Sequence, residues 1–443
     1  MRFIAVVVCL FVLSPSLVLC APATPSGLCI NDCSNTASSK QAGFFPGTNL
    51  KFYPGIIIRS NENESPKSIE ANWQALFSHE KNRKQTYRPP GVYGGVTVKL
   101  KWYRYYKDSN RRPDDPLNHK DPAYDWSKLD AALNINAVQN EGAMVALQVG
   151  ESSAPNWIKQ APYDGVFLAQ WDKTNNKPKT PKLKYYRYEG PDNRGQSHTD
   201  NQPPIVEELV YFHQALYNHL VDTGNIDKVM FLTLAEVYVN SPQLPSDFNS
   251  INLQHGIGVR NEKVAKIWGA SNIAVLQSSL TGPYAPTMWQ YMDDPTLGIT
   301  FPDMKMSGTN NISGSQRFTH PDGTDQKDIR PLAQAIEANG LRSHTYFAPD
   351  IPNPWGYSGY QPQTMSHIVW ALSGSPKGEN KDSGLGQVSE DPPGVMPVHN
   401  IIVSWTMTWA ELNPTLEEWH EAFDTFGPAG TFAFPYLPKG YQP

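Results

Sequence analysis

Cysteine is nearly absent from this sequence. Of its four cysteines, Cys9 and Cys20 fall in an apolar amino-terminal run, leaving Cys29 and Cys33. That is too few for a disulfide framework. The fold must therefore stand on its own buried core, and a chain of 443 residues is long enough to build one. A metal site is not expected: no second ligand pair stands near Cys29 and Cys33, and neither His-x-x-x-His nor His-Glu-x-x-His occurs. Charged residues make up only 18% and sum to a net charge of −5. With no basic clusters, nucleic acid and anionic membrane surfaces are excluded as partners. No apolar run is long enough to span a bilayer comfortably. No Gly-rich phosphate loop follows the first strand, and no nucleophilic Ser elbow is present, so no cofactor is expected.

Aromatics and proline, in contrast, are abundant: twelve Trp, twenty-one Tyr and thirty-nine Pro. They describe a loop-rich protein with many flat apolar surfaces, either a large core or platforms for sugar rings. Residues 1–20 read as a secretory signal, with Arg2 ahead of an apolar run and small residues near Cys20-Ala21. The mature chain is therefore expected to be secreted. Residues 21–50 read as a loosely docked leader, in which Cys29 and Cys33 can close a small loop. Residues 51–443 read as one domain. Asn63-Glu64-Ser65 and Asn311-Ile312-Ser313 are glycosylation acceptors if the source is eukaryotic.

Within that domain, short apolar runs alternate with helical patterns. Strands are expected at 55–59, 95–102, 144–150, 229–235, 273–277, 298–303, 343–348 and 401–407. Helices are expected at 68–78, from Asp125 to a stop at Gly142, and at 203–219, 260–268, 285–292, 328–339, 364–372 and 415–426. A Tyr-rich excursion runs to about residue 202, too long for an ordinary connection. A Gly/Asn/Ser loop follows the sixth strand, and a Gly/Ser/Asp loop covers 373–394. Eight strands separated by helices imply right-handed parallel crossovers and a single (β/α)8 TIM barrel of the α/β class, with long loops on its catalytic face. A doubly wound open sheet is the runner-up.

In such a barrel the carboxyl ends of the strands form one cleft. Its candidates are Arg59, Trp102, Glu151, Glu236, Gln277, Asp303, His344, Asp350, Trp405 and Glu411, with Glu379 from the last long loop. Carboxylates, aromatics and amides suit glycosidic cleavage. One carboxyl, kept protonated by burial, gives a proton to the leaving oxygen; the other attacks the anomeric carbon or activates water. Glu236 is the foremost candidate because the apolar run Val229 to Ala235 stops at it. The alternative for Glu236 is a structural ion pair at a strand end, and for each Trp it is core packing.

Four segments carry a resemblance. Tyr124-Asp125-Trp126-Ser127-Lys128-Leu129-Asp130 looks like the opening of the helix after strand two in a clan of (β/α)8-barrel glycoside hydrolases that includes the β-galactosidase and cellulase families. Ala154-Pro155-Asn156-Trp157 is similar to their turn after strand three, Glu236 falls where they carry the acid/base, and Ser404-Trp405 matches their strand-eight aromatic. The resemblance spans roughly residues 50–430. It implies a glycosidase acting on a polysaccharide or oligosaccharide, with Glu236 as acid/base and Trp102, Trp157, Glu151, Gln277, Asp303, His344 and Trp405 lining the carbohydrate subsites. Two departures stand out. Ala235 occupies the position where those enzymes place Asn, and no Glu ends strand seven. The second carboxylate is then Asp350 or Glu379, or the barrel has lost the chemistry and acts as a secreted carbohydrate-binding or interaction protein.

Overall fold

The computed structural model describes residues 43–44, 50–52, 55–59, 65–82, 93–150, 154–159, 169–172, 177–183, 204–234, 250–278, 296–301, 305–307, 311–319, 325–328, 347–351 and 400–404. All of them belong to one compact unit, Ala37–Pro443. Eight strands form its centre: β1 Gly55–Arg59, β2 Tyr93–Lys101, β3 Met144–Gly150, β4 Val229–Leu234, β5 Ala274–Ser278, β6 Leu297–Phe301, β7 Phe347–Ile351 and β8 Asn400–Ser404. Each pairs in parallel with its neighbours in chain order, and β8 pairs with β1 over all five residues to close the barrel. The expected (β/α)8 barrel is the fold.

These residues form strands because they are apolar on both faces, as a parallel sheet under helices requires. One face lies inside the barrel, where Ile57, Met144, Ala146, Phe231, Ala274 and Leu276 meet in one cluster. The other lies under the helices: Val96, Val98, Leu100, Val145, Leu147 and Val149 are all buried. Five helices are described, α1 Pro66–Asn82, α2 Ser127–Leu133, α3 Asn136–Gln139, α4 Pro204–Asp222 and α5 Ser250–Gly269. In α4, Ile205, Leu209, Phe212, Leu216 and Leu220 recur every three or four residues and are essentially inaccessible. Each such side chain contributes about 1.5–3 kcal/mol of burial. Gly224 ends this helix as expected, at φ +67°, with the Asn225 amide donating to Leu220 O at 2.8 Å. Among the described residues no helix is long and apolar enough to cross a membrane.

The structure departs from the sequence reading in five places. The helix opened by Asp125 is two helices. Asp125 stands just ahead of the N-cap, which is Trp126 and makes no side-chain cap; the Ser127 amide donates to Asp125 Oδ1 at 3.1 Å. The helical run breaks at Asn134–Ile135, because Glu70 of α1 accepts the Ala137 amide at 2.9 Å and so satisfies a second helix start. The Tyr-rich excursion contains an antiparallel pair, Ala169–Asp172 with Lys177–Leu183. The polar loop after β6 holds a three-stranded antiparallel sheet, Lys305–Ser307, Asn311–Thr319 and Asp325–Asp328; Asp328 ends its last strand, and the rest of the helix expected at 328–339 lies outside the described residues. Strand seven is described over Phe347–Ile351, with Pro349 and Asp350 inside it, so it runs past Ala348, where it was expected to end; residues 343–346 lie outside the described residues. The leader, finally, is docked at its end: Leu50 joins the barrel core, the Lys51 amide donates to Asn272 O at 2.7 Å, and Lys51 Nζ pairs with Asp227 at 2.7 Å. Asn272 and Asp227 precede β5 and β4, so this segment floors the amino mouth of the barrel. The helices expected at 285–292, 364–372 and 415–426 lie outside the described residues.

Candidate active site

The opposite mouth is built from the strand ends Arg59, Lys101, Gly150, Leu234, Ser278, Phe301, Ile351 and Ser404. Which residues point into it follows from register, since side chains alternate along a strand and laterally paired residues share a face. Thr97, Ala146, Phe231 and Ala274 form one lateral row, and Ala146, Phe231 and Ala274 belong to the interior cluster. The next row toward the carboxyl mouth is Lys99, Gln148, Thr233 and Leu276. Above it, Lys101 pairs with Gly150. The interior thus changes from apolar near the floor to polar near the mouth. Thr97 and Thr233 are buried, while Arg59, Lys99, Lys101 and Gln148 are partly exposed.

This polar row is what sequence reasoning overlooked by attending to the residues just past each strand. The signal was present in Val96-Thr97-Val98-Lys99-Leu100-Lys101. A buried strand with polar residues at every second position turns them toward a wet interior.

Two of the expected aromatic platforms are core residues. Trp102 opens the 3-10 turn Trp102–Tyr105 after β2 and is 0% exposed; Trp157, in the turn Asn156–Lys159 after β3, is 4% exposed. Their rings meet edge to face at 6.1 Å, and Trp102 also packs against Phe212 of α4 at 6.0 Å. The Trp102 indole donates to Tyr106 Oη at 3.0 Å. The cluster continues through Tyr105, Tyr124 and Trp126 to His219. Burial pushes the phenols of Tyr105, Tyr106 and Tyr124 well up, so they stay neutral, and Tyr124 donates to Pro116 O at 2.7 Å. The aromatic content read as sugar platforms is here the glue between the β2 connection and α4. Polar contacts reinforce the joint: an ion pair of Arg112 with the nearly buried Glu208 at 2.7 Å, and a hydrogen bond between His219 Nε2 and Asp130 Oδ1 at 2.7 Å.

Gln277 also lies away from the cleft. It pairs laterally with Leu234, on the face opposite Leu276, and its Oε1 accepts from the fully buried Arg260 of α5. Arg260 in turn donates to Asn261 Oδ1 at 2.8 Å. Asp350 is the penultimate residue of β7 and pairs with Ile402, which pairs with Ile57 of the interior cluster. Glu236 lies outside the described residues, two positions past the end of β4. Glu151, Asp303, His344, Glu379 and Trp405 also lie outside them. In the sequence Glu151 directly follows β3, Trp405 directly follows β8, and His344 stands three positions before the first residue of β7.

No family model matches the chain, and no curated protein sequence does. Solved structures do resemble it at low identity. A GH5_18 structure from Streptomyces cattleya in complex with GlcNAc gives a TM-score of 0.43 at 9% identity, covering 85% of this chain and 82% of that one. A β-mannanase from the blue mussel Mytilus edulis gives 0.41 at 9% identity, covering 87% and 95%. An old yellow enzyme homologue from Zymomonas mobilis gives 0.41 at 13% identity, covering 90% and 96%. These names span different chemistries, so likeness at this level does not choose a reaction.

Proposed function

We propose that this chain is a secreted glycoside hydrolase acting on a polysaccharide or oligosaccharide, with Glu236 as proton donor and a second carboxylate, Asp350 or Glu379, working across the barrel mouth. The observation that supports the reading is that β4 ends at Leu234 at the carboxyl mouth of a closed parallel barrel, and Glu236 follows Leu234 by two positions in the sequence. A carboxyl group at that mouth can reach a glycosidic oxygen while the strands below hold it rigidly. The polar row of Lys99, Gln148 and Thr233 beneath the mouth supplies hydrogen-bonding groups suited to sugar hydroxyls. Protonation of the leaving oxygen by one carboxyl and attack on the anomeric carbon, directly or through water, by the other complete the reaction. Their separation sets the outcome: about 5–5.5 Å for retention and about 6.5–9.5 Å for inversion.

The test is release of reducing ends from a polysaccharide panel by the wild-type chain and by Glu236→Gln. The variant is expected to lose at least about two orders of magnitude in turnover, the usual size of a general acid's contribution, with an unchanged unfolding midpoint. Undiminished turnover by the variant removes Glu236 from the mechanism. A wild-type chain that binds sugar polymers yet releases no reducing ends is a carbohydrate-binding barrel instead.

A further inference from the structure

Gln148 and Thr233 stand side by side in the barrel as laterally paired residues of β3 and β4. Each is the single polar side chain of its strand, in Met144–Gly150 and Val229–Leu234. Gln148 follows Ala146 by two residues and Thr233 follows Phe231 by two. Both therefore share the face of an interior cluster member. Their neighbours in the same row are Lys99 and Leu276. Lys99 has a partner, as do Thr97 below it and Arg59 and Lys101 at the rim. Gln148 and Thr233 differ: among the described residues, neither the amide nor the hydroxyl has a hydrogen-bond partner.

That lack is costly for Thr233, which is only 6% exposed. A hydroxyl taken so far from water without a partner destabilises the fold, and native interiors hold few such groups. The hydroxyl is not sealed off, however, and Gln148 beside it is only half-buried. Two residues further along β3, on the same face, stands Gly150. No side chain of that strand covers Gln148 from the mouth.

The chemistry of the pair defines what fits it. The amide offers an acceptor and two donors, and the hydroxyl offers one donor and two acceptor lone pairs. Neither is charged. Paired strands lie about 4.8 Å apart, so both groups can reach hydroxyls of one small ring. A sugar hydroxyl donates and accepts, and so satisfies either group. An anion offers the amide oxygen no donor, and an apolar ligand leaves both groups unmet.

Resting on the glycosidase reading of this mouth and deepening it, we propose that Gln148 and Thr233 floor a sugar subsite that takes the hydroxyl edge of one uncharged ring. They act as specificity residues, because a ring lacking that hydroxyl leaves buried polar groups unpaired.

The full chain carrying Glu236→Gln is tested by retardation in gels containing galactomannan, xyloglucan or polygalacturonate, alone and with Thr233→Val, Thr233→Ser or Gln148→Leu added. Retardation by a neutral polymer is expected. It persists at about 0.5 M salt, where charge contacts are screened beyond a few ångströms. Thr233→Val and Gln148→Leu are each expected to weaken it on the order of fivefold, as for one hydrogen bond between neutral groups, whereas Thr233→Ser keeps it. Urea midpoints separate binding from a structural role. Val has the shape of Thr, so with no internal hydrogen bond to lose, Thr233→Val unfolds at the parent's midpoint or above it. A lowered midpoint places the hydroxyl's bond within the protein and overturns the proposal. So does retention by polygalacturonate alone, by no polymer, or undiminished in the Val and Leu variants. Neutral-polymer binding that needs Gln148 and Thr233, in a wild-type chain that releases no reducing ends, keeps the subsite and removes the hydrolase. Reducing-end release that needs Glu236, with binding indifferent to Gln148 and Thr233, does the reverse.

Discussion

Trp102 shows how one residue's role turns on what surrounds it. Its indole is inaccessible, donates to Tyr106 Oη at 3.0 Å and packs on Trp157 and Phe212. Trp102→Ala is expected to lower stability by about 3–5 kcal/mol, as truncation of a buried aromatic does. A urea midpoint that stays in place would return the ring to a surface role. Asp121 makes a prediction about pH. Burial alone would raise its carboxyl, but the amides of Asp115 at 2.9 Å and Ala123 at 2.8 Å, helped by Asp114 and Arg111, hold it below the ordinary value. Folding therefore favours its charged form. That stabilisation is complete above the unfolded value of about 4 and is lost as pH falls through the lowered folded value. Asp121→Asn is expected to be less stable than wild type at neutral pH, with the gap closing in acid. Urea midpoints from about pH 7 down to pH 2.5 check the sign. Neither role could be read from residue type, because a Trp or an Asp in a polar, aromatic-rich stretch carries no label for what will cover it.

At the scale of elements, apolar period and capping chemistry were strong guides wherever they acted locally. The run 144–150 was legible to its last residue as β3, and Gly224 as the stop of α4, because both signals are confined to a few neighbouring residues. At φ +67° an added methyl strains the backbone, although nothing stands within 4 Å of it. Gly224→Ala should therefore cost about 1 kcal/mol, measurable by chemical denaturation. The sheet over Lys305–Ser307, Asn311–Thr319 and Asp325–Asp328 was not legible, since its Gly, Ser and Asn residues give no alternating apolar face. What makes it a sheet is the antiparallel ladder between its own strands. The α2–α3 break was hidden for a related reason: Glu70, the residue that accepts the Ala137 amide, comes from another helix.

The barrel as a whole has two mouths with different work. The amino mouth is closed by Leu50 and tied by Lys51 to Asp227 and Asn272. The carboxyl mouth presents Arg59, Lys99, Lys101 and Gln148. Leu50→Ala is therefore expected to cost about 2–5 kcal/mol while leaving the rate constant for reducing-end release unchanged. A variant with intact stability and a lowered rate would show the ends to be less separate than their positions imply.

The sequence alone determined the eight apolar strands, and hence the barrel, because their apolar runs are local and repeat eight times. Only the tertiary structure decided which face each polar residue takes. Lateral register turned Lys99, Gln148 and Thr233 toward the interior and Gln277 toward Arg260, and packing against α4 moved Trp102 and Trp157 into the core. Those outcomes depend on how neighbouring strands slide against one another and which helix lies over them, and no stretch of chain encodes that by itself.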